Sequence, residues 1–314
     1  MRALKSGMST MTKILIAAFV VVASAAGIAQ PGGQRARATH GVRSGLFAGT
    51  LPLPPGTTVR RDLHYGGGVD ETYDVYAPPQ THGAPVVFMV HGGGWRRGDK
   101  DGRGVARNKA AHWVSRGLIV VSVNYPMLPD TTPLQQAQYV AKALAAVQRD
   151  ASQWGGDPRA FVLMGHSAGA HLVSLISADP PAAIAQGALP WLGTVALDSA
   201  AFDVAALMRL PHLPLYDKAF GSDAKTWAAV SPTRQLRGKI APFLAVCSSQ
   251  RMESCLQANA FTAKARGLGV RVEVLPQDLS HAEINGNLGL PSAYTSAVDG
   301  FLAELSPALA ARLR

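Results

Sequence analysis

The chain has 314 residues, of which 47% are hydrophobic and 16% are charged, and this apolar content is sufficient for one large buried core. Its formal charge is +10, but the basic residues are scattered, and no stripe of basic and aromatic residues indicates a nucleic-acid surface. Only two cysteines occur, and neither lies in a cluster with metal-ligand spacing, which argues against a zinc site.

Residues 1–30 have the pattern of a secretory signal peptide. Basic residues precede an apolar run over 14–26 that ends in small residues, and cleavage near residue 29 would release a secreted or periplasmic protein. The run is short for a membrane span of about 20 residues, although an uncleaved anchor is the alternative. Residues 31–57, rich in Gly, Pro and Arg, predict a flexible lead-in to a domain over 58–314, where no segment is long and apolar enough to span a bilayer.

Apolar strands and helical segments alternate through this domain. The predicted strands are 59–65, 72–76, 85–90, 118–124, 160–164, 192–197, 242–247 and 270–275. The predicted helices are 104–116, 133–154, 168–176, 255–266 and 293–305. This alternation indicates an α/β fold, with a mostly parallel sheet covered by helices on both faces. Residues 200–240 interrupt the pattern, and we expect them to cover the mouth of a site.

The sequence Gly165-His166-Ser167-Ala168-Gly169 joins a predicted strand to a predicted helix. The pattern Gly-x-Ser-x-Gly in that setting is typical of a nucleophile elbow, which lifts a serine hydroxyl clear of the sheet. The glycines allow the strand and the helix to pass close together around a strained serine.

A second glycine motif, His-Gly-Gly-Gly-Trp at 91–95, follows the predicted strand 85–90. Consecutive glycines let backbone N–H groups face a site, and with the N–H of Ala168 they can bind the oxygen that becomes negative in a tetrahedral intermediate. A simple glycine-rich turn is the alternative. A phosphate loop is disfavoured because no Gly-Lys-Ser/Thr follows.

A serine hydroxyl needs a base to become a nucleophile, and His281 is the best candidate because it follows the last predicted strand. His166 belongs to the elbow itself and precedes the serine, so we expect it to point elsewhere. His171 lies one turn into the following helix, where we expect it to pack.

The acid that would orient this base has three candidates. It should follow the strand 242–247, where Glu253 is the only acidic residue, and Asp198 or Asp203 after the preceding strand are the alternatives. The cysteines, Cys247 and Cys255, flank the same loop. In an oxidising compartment they could form a disulfide that clamps it, and two reduced thiols are the alternative.

These motifs resemble the α/β-hydrolase superfamily over about residues 59–305. The closest resemblance is to hormone-sensitive-lipase-like carboxylesterases, kynurenine formamidases and feruloyl-esterase-type (BD-FAE-like) enzymes. It depends on His-Gly-Gly-Gly-Trp at 91–95, Asn-Tyr-Pro at 124–126, Gly-Asp-Pro at 156–158, the elbow at 165–169, and His281. The resemblance implies the α/β-hydrolase fold with an eight-stranded, mostly parallel sheet, acyl-enzyme chemistry, and no metal or organic cofactor.

The resemblance also implies roles for individual residues. Ser167 would be the nucleophile, His281 the base and Glu253 the acid, with oxyanion donors from Gly93, Gly94 and Ala168. One departure concerns the acid, because the family usually has an aspartate soon after the seventh strand, where this chain has Ser-Ser-Gln-Arg at 248–251.

The sequence therefore predicts an exported serine hydrolase, a carboxylesterase acting on small-molecule esters. An arylformamidase or amide hydrolase is one alternative, and a non-catalytic binding protein with the same fold is another. Nothing in the sequence sets the oligomeric state or the size of the substrate.

Overall fold

The computed structural model describes residues 51–314, so the predicted signal peptide and most of the predicted lead-in lie outside the described residues. The strands are β1 Thr58–His64, β2 Thr72–Ala77, β3 Ala84–Val90, β4 Ile119–Val123, β5 Gly156–His166, β6 Gly193–Leu197, β7 Phe243–Ser248 and β8 Val272–Gln277. They form one eight-stranded sheet in the order β1-β2-β4-β3-β5-β6-β7-β8. The β1–β2 and β2–β4 pairs are antiparallel and the other pairs are parallel, which confirms the expected sheet.

Helices occupy most of the connections between strands. They are α1 Asn108–Val114, α2 Pro133–Asp150, α3 Ala168–Ala178, α4 Pro180–Ala185, α5 Val204–Leu207, α6 Pro214–Phe220, α7 Ala224–Ala229, α8 Pro232–Gln235, α9 Met252–Gly267, α10 His281–Gly286, α11 Ala293–Ala303 and α12 Pro307–Leu313. The predicted helix 104–116 begins as a π-helical turn, Arg103–Arg107, and the predicted helix 133–154 ends as a 3₁₀ turn, Ala151–Trp154. None of the helices within 51–314 has the length and apolarity needed to cross a membrane.

Strand β3 lies in the middle of the sheet and is buried on both faces. Val86 and Phe88 pack into the apolar core on the side of α2 and α3, whereas Val87 and Met89 pack into the core on the side of α1 and α11. This alternation follows from the two-residue period of a strand. A parallel strand covered by helices on both faces is therefore a continuous apolar run. This is why the strand predicted from the sequence, 85–90, agrees with the observed β3 to within one residue.

The carboxyl ends of β3, β5 and β6 meet at one edge of the sheet because these strands are parallel neighbours. The loops that leave those ends carry the chemical motifs. The short helices α5–α8 fill the segment between β6 and β7, and Leu213, Leu215 and Tyr216 from this segment line the cavity above that edge. This agrees with the expectation that residues 200–240 cover a site.

Candidate active site

Ser167 lies on the turn between β5 and α3 in a strained conformation, with φ 56° and ψ −116°. The turn depends on close packing that only glycine permits. A Cβ on Gly165 would lie 2.3 Å from the carbonyl oxygen of Gly169, and a Cβ on Gly169 would lie 2.2 Å from the carbonyl oxygen of Val90. The Ser167 N–H also donates to Leu197 O at 2.9 Å, which fixes the turn against β6. The hydroxyl is thereby held at the edge of the sheet.

His281 is brought to Ser167 from the far end of the chain. Its Nε2 lies 2.9 Å from Ser167 Oγ, within hydrogen-bond reach, so the hydroxyl can donate to the imidazole. His281 is the first residue of α10, whose N-cap Ser280 forms a capping box with Glu283. Ser248 Oγ donates to Leu279 O at 2.6 Å and ties this helix start to the end of β7.

The other end of α10 is anchored by a buried lysine that the sequence did not single out. Lys109 is 1% exposed, and its Nζ donates to Asn285 O at 2.6 Å and to Asn285 Oδ1 at 2.8 Å. Burial lowers the pKa of Lys109 to about 7. The backbone of α10 is therefore held at both ends.

The acidic partner of His281 is Asp198. Its Oδ2 lies 2.5 Å from His281 Nδ1, and the residue follows β6 directly with φ 54° and no exposed surface. Asp198 Oδ1 accepts from the Ser248 N–H at 2.8 Å and from the Ser254 hydroxyl. The carboxylate can therefore hold the His281 tautomer that leaves Nε2 free to accept a proton.

The structure corrects the expectation for Glu253. Its side chain is 53% exposed and lies 3.2 Å from Arg251 in an ion pair, and it does not contact His281. The reason is its place in the first turn of α9, where Ser254 faces the interior and Glu253 faces solvent. Asp203, the other alternative, caps α5 and pairs with Arg234 at 2.9 Å.

Arg251 is a site residue that sequence reasoning missed. Its Nη1 donates to Asp198 Oδ2 at 2.6 Å and lies 2.8 Å from His281 Nδ1. Burial by itself would raise the pKa of Asp198. The hydrogen bonds from His281 and Ser254 and the charge of Arg251 outweigh it and hold that pKa well below its ordinary value. The carboxylate is thus ionised throughout the neutral range.

The glycine loop at 91–95 packs directly on the elbow. A Cβ on Gly92 would lie 2.9 Å from Ser167 Cβ, so the loop can approach the serine only without a side chain there. Gly93 and Gly94 have φ of 129° and 62°, and neither N–H donates to the backbone of another residue within 51–314. The N–H of Ala168 begins α3, where helical N–H groups lack an acceptor within the helix. The N–H groups of Gly93, Gly94 and Ala168 therefore have no backbone acceptor among the described residues.

Two further histidines, His166 and His171, are buried close to Ser167 and form hydrogen bonds with backbone carbonyl groups. His166 Nε2–H donates to His281 O at 2.9 Å, and burial, followed by the nearby His281, lowers the pKa of His166 to about 3. His171 accepts from Trp95 Nε1 at 3.1 Å and donates to Val230 O at 2.7 Å, and burial lowers its pKa to about 4. Both are neutral, and Trp95 packs on His171 while also lining the cavity.

Cys247 and Cys255 form a disulfide that joins the end of β7 to α9. The eight-residue separation encloses the loop that carries Arg251 and Ser254. Because Arg251 and Ser254 both donate hydrogen bonds to Asp198, the disulfide restrains the segment that holds this carboxylate.

A cavity of about 800 Å³ opens above Ser167 and His281. Apolar and aromatic side chains form part of its wall, among them Trp95, Leu128 and Tyr216. Its size suits a small-molecule ligand. Within the described part of the chain, no group of three or more His, Cys, Asp or Glu side chains is placed to hold a metal ion.

Comparison with known proteins identifies similar sequences. Residues 73–186 match the family model described as BD-FAE. Esterase LipQ of Mycobacterium tuberculosis is 30% identical over 261 residues, which make up 76% of this chain and 60% of LipQ. A kynurenine formamidase of Danio rerio is 32% identical over 134 residues, which make up 42% of this chain and 43% of the formamidase. The chain thus spans 60% or less of the length of these curated relatives.

Solved structures share the fold. Esterase B from Lactobacillus rhamnosis aligns with a TM-score of 0.68 at 19% identity, covering 82% of this chain and 88% of the esterase. A truncated carbohydrate esterase from gut microbiota aligns with a TM-score of 0.69 at 15% identity, covering 81% of this chain and 99% of the other. The α/β-hydrolase fold and the resemblance to esterases and kynurenine formamidases are confirmed.

Proposed function

We propose that this chain, a member of the α/β-hydrolase superfamily, is a serine hydrolase that cleaves carboxylic esters. One observation carries the proposal. Ser167 Oγ, His281 and Asp198 form a continuous line of contacts of 2.9 and 2.5 Å at the carboxyl edge of the sheet. A hydroxyl, an imidazole and a buried carboxylate in this order make up the triad of acyl-transfer enzymes, whatever their order along the chain.

The first half of the reaction forms an acyl-enzyme. His281 Nε2 takes the proton of Ser167 as the hydroxyl oxygen attacks the ester carbonyl carbon. The imidazolium that results is stabilised by Asp198, which keeps its charge throughout. His281 then gives the proton to the departing alcohol oxygen as the carbon–oxygen bond breaks.

The second half releases the acid. Water enters, His281 takes one of its protons, and the hydroxide attacks the acyl carbon to form a second tetrahedral intermediate. When this intermediate collapses, Ser167 leaves and recovers its proton from the imidazolium. The free carboxylic acid then departs and the enzyme returns to its starting state.

The N–H groups of Gly93, Gly94 and Ala168 are suited to bind the negative oxygen of both intermediates. They come from two elements fixed against each other by the close approach of Gly92 to Ser167. Donors that are already oriented need no rearrangement when the charge develops. Loss of one such donor typically reduces turnover about 100- to 1000-fold.

Labelling with a fluorophosphonate tests the nucleophile directly. We expect the reagent to modify Ser167 of the intact protein, as mapped by mass spectrometry, and the Ser167→Ala variant to be neither labelled nor active on 4-nitrophenyl butyrate. Equal hydrolysis by the variant and the wild type would eliminate Ser167 as the nucleophile. A non-catalytic binding protein would show neither labelling nor turnover.

Hydrolysis of a formamide is the second candidate, because the matched relatives include kynurenine formamidases. The same residues could perform it, since an amine replaces the alcohol as the leaving group. Comparing kcat/KM for a phenyl ester and an N-formyl aromatic amine of similar size separates the candidates. A higher value for the formamide would favour the second one.

We also propose that residues 1–30 direct export. The disulfide between Cys247 and Cys255 supports this, because disulfides persist in oxidising compartments. Fractionation of the producing cell and N-terminal sequencing of the mature protein test the proposal. A protein that keeps residue 1 and stays in the cytosol would contradict it.

A further inference from the structure

Basic side chains are concentrated around the cavity above Ser167. Arg96 and Arg97 follow the glycine loop, Lys218 lies in α6, and Arg251 precedes α9. Among the described residues that line the cavity, the only carboxylate is that of Asp198.

This one negative charge is already matched. Asp198 is bound by Arg251 at 2.6 Å and by His281 at 2.5 Å. The remaining basic residues, Arg96, Arg97 and Lys218, are exposed, and they form no ion pair with any residue in 51–314. The carboxylate next to Lys218 in sequence, Asp217, pairs with His212 at 3.0 Å instead. The mouth therefore carries unmatched positive charge.

The position of the two arginines follows from the glycine loop. The N–H groups of Arg96 and Arg97 both donate to Gly93 O, at 3.3 and 3.2 Å. A Cβ on Gly93 would lie 1.8 Å from Arg97 O, so the turn requires glycine. The turn that leaves the Gly93 and Gly94 N–H groups without backbone acceptors thus also brings Arg96 and Arg97 into the lining of the cavity.

The lining of the same cavity is partly apolar. Leu128, Leu213 and Leu215 contribute to it, and the latter two remain exposed. A ligand that matches this lining combines an apolar portion with a negative charge.

We propose that the preferred substrates are esters whose acyl part ends in a carboxylate, separated from the ester carbonyl by an apolar spacer. This inference rests on the proposed function. A cleft lined by charge of one sign concentrates ligands of the opposite sign and raises association rates by about 10- to 1000-fold, an effect that salt weakens. Guanidinium groups add paired hydrogen bonds to a carboxylate.

Two esters of equal acyl length test the proposal. The 4-nitrophenyl monoester of adipic acid and 4-nitrophenyl hexanoate differ by the terminal carboxylate. We expect kcat/KM for the adipate ester to be at least about tenfold higher at low ionic strength, and the advantage to shrink as salt is raised to about 0.5 M. Equal or lower values for the adipate ester at low salt would overturn the proposal.

Charge-neutralising variants locate the effect. Arg96→Gln, Arg97→Gln and Lys218→Gln should each lower the ratio of adipate to hexanoate kcat/KM. Arg237→Gln is the matched control, because Arg237 is exposed, lies before the amino end of β7 and does not line the cavity. The control should keep the wild-type ratio. A ratio that falls equally in all four variants would show a general charge effect and contradict the assigned site.

Binding to the Ser167→Ala variant separates this inference from the proposed function. Calorimetry with methyl hydrogen adipate and methyl hexanoate should show tighter binding of the charged ester. If the wild type hydrolyses no ester but the charged ligand still binds more tightly, the proposed function fails and the charge preference stands. If both esters bind equally, the preference fails whatever the activity.

Discussion

Replacing Asp198 by asparagine tests the corrected acid, with Glu253→Gln as its matched control. Both oxygens of Asp198 face donors only. Oδ1 accepts from the Ser248 N–H and the Ser254 hydroxyl, and Oδ2 accepts from Arg251 and His281. An asparagine in either orientation would turn its NH₂ group toward two of these four donors.

The magnitude follows from that count. A buried polar group left without a partner costs about 1–3 kcal/mol. The Ser254 hydroxyl can turn to accept from the amide, and the Arg251 and His281 side chains are partly exposed to water, so we expect a single such loss of about 1–3 kcal/mol in the free energy of unfolding. Turnover should fall about 10⁴-fold, because the proton on Nδ1 loses its acceptor and the imidazole changes tautomer or orientation. Glu253→Gln alters an exposed ion pair and should change stability by less than about 0.5 kcal/mol.

The assay measures kcat/KM with 4-nitrophenyl butyrate for both variants, and urea unfolding gives the folded fraction at the assay temperature. Rates are compared per folded molecule, so that partial unfolding of a variant is not mistaken for a lower catalytic rate. The reasoning fails if Asp198→Asn keeps more than about a tenth of the wild-type rate, or if Glu253→Gln loses more than Asp198→Asn.

Three further predictions concern the supports of the site. Cys255→Ser removes the disulfide and should lower the free energy of unfolding, measured by chemical denaturation, by about 2 kcal/mol. We also expect kcat/KM to fall, and treatment of the wild type with reductant should produce the same fall. An unchanged kcat/KM in both cases would show that the activity does not depend on the disulfide. Gly165→Ala places a Cβ 2.3 Å from Gly169 O and should abolish fluorophosphonate labelling or folding, whereas Gly300→Ala, with open space around its Cβ, should keep both. Because the folded pKa of Asp198 is depressed, its ionised form stabilises the fold above the ordinary carboxyl pKa and ceases to do so as pH falls through the folded pKa. The difference in the free energy of unfolding between the wild type and Asp198→Asn should therefore shrink as pH is lowered below about 4. A difference that grows over this range would refute the conclusion that Asp198 is ionised in the folded protein.

The sheet could be predicted from the sequence because buried parallel strands are continuous apolar runs, and every predicted strand overlaps an observed one. The elbow and the glycine loop were also visible, since close backbone approach leaves glycine as a local signature. The short helices between residues 204 and 235 were missed, because helices of one or two turns are set by tertiary packing more than by their own periodicity.

The acid could not be settled from the sequence for a different reason. The identity of the acid depends on which strands end beside the serine. The order of strands in a sheet cannot be deduced from the local hydrophobic pattern of each strand. Asp198 follows β6, which pairs with β5 and so delivers its carboxylate next to the elbow. The available signal was an aspartate placed directly after an apolar strand, in Leu197-Asp198.

The loop after β7, where the acid was expected, has another part in this protein. It lies beside Asp198 because β7 pairs with β6, and it supplies Ser254 and Arg251 as donors to that carboxylate. A buried carboxylate is costly unless its oxygens are bound, and this loop meets most of that need. The loop after β6 thus provides the carboxylate, and the loop after β7 provides hydrogen-bond donors to it.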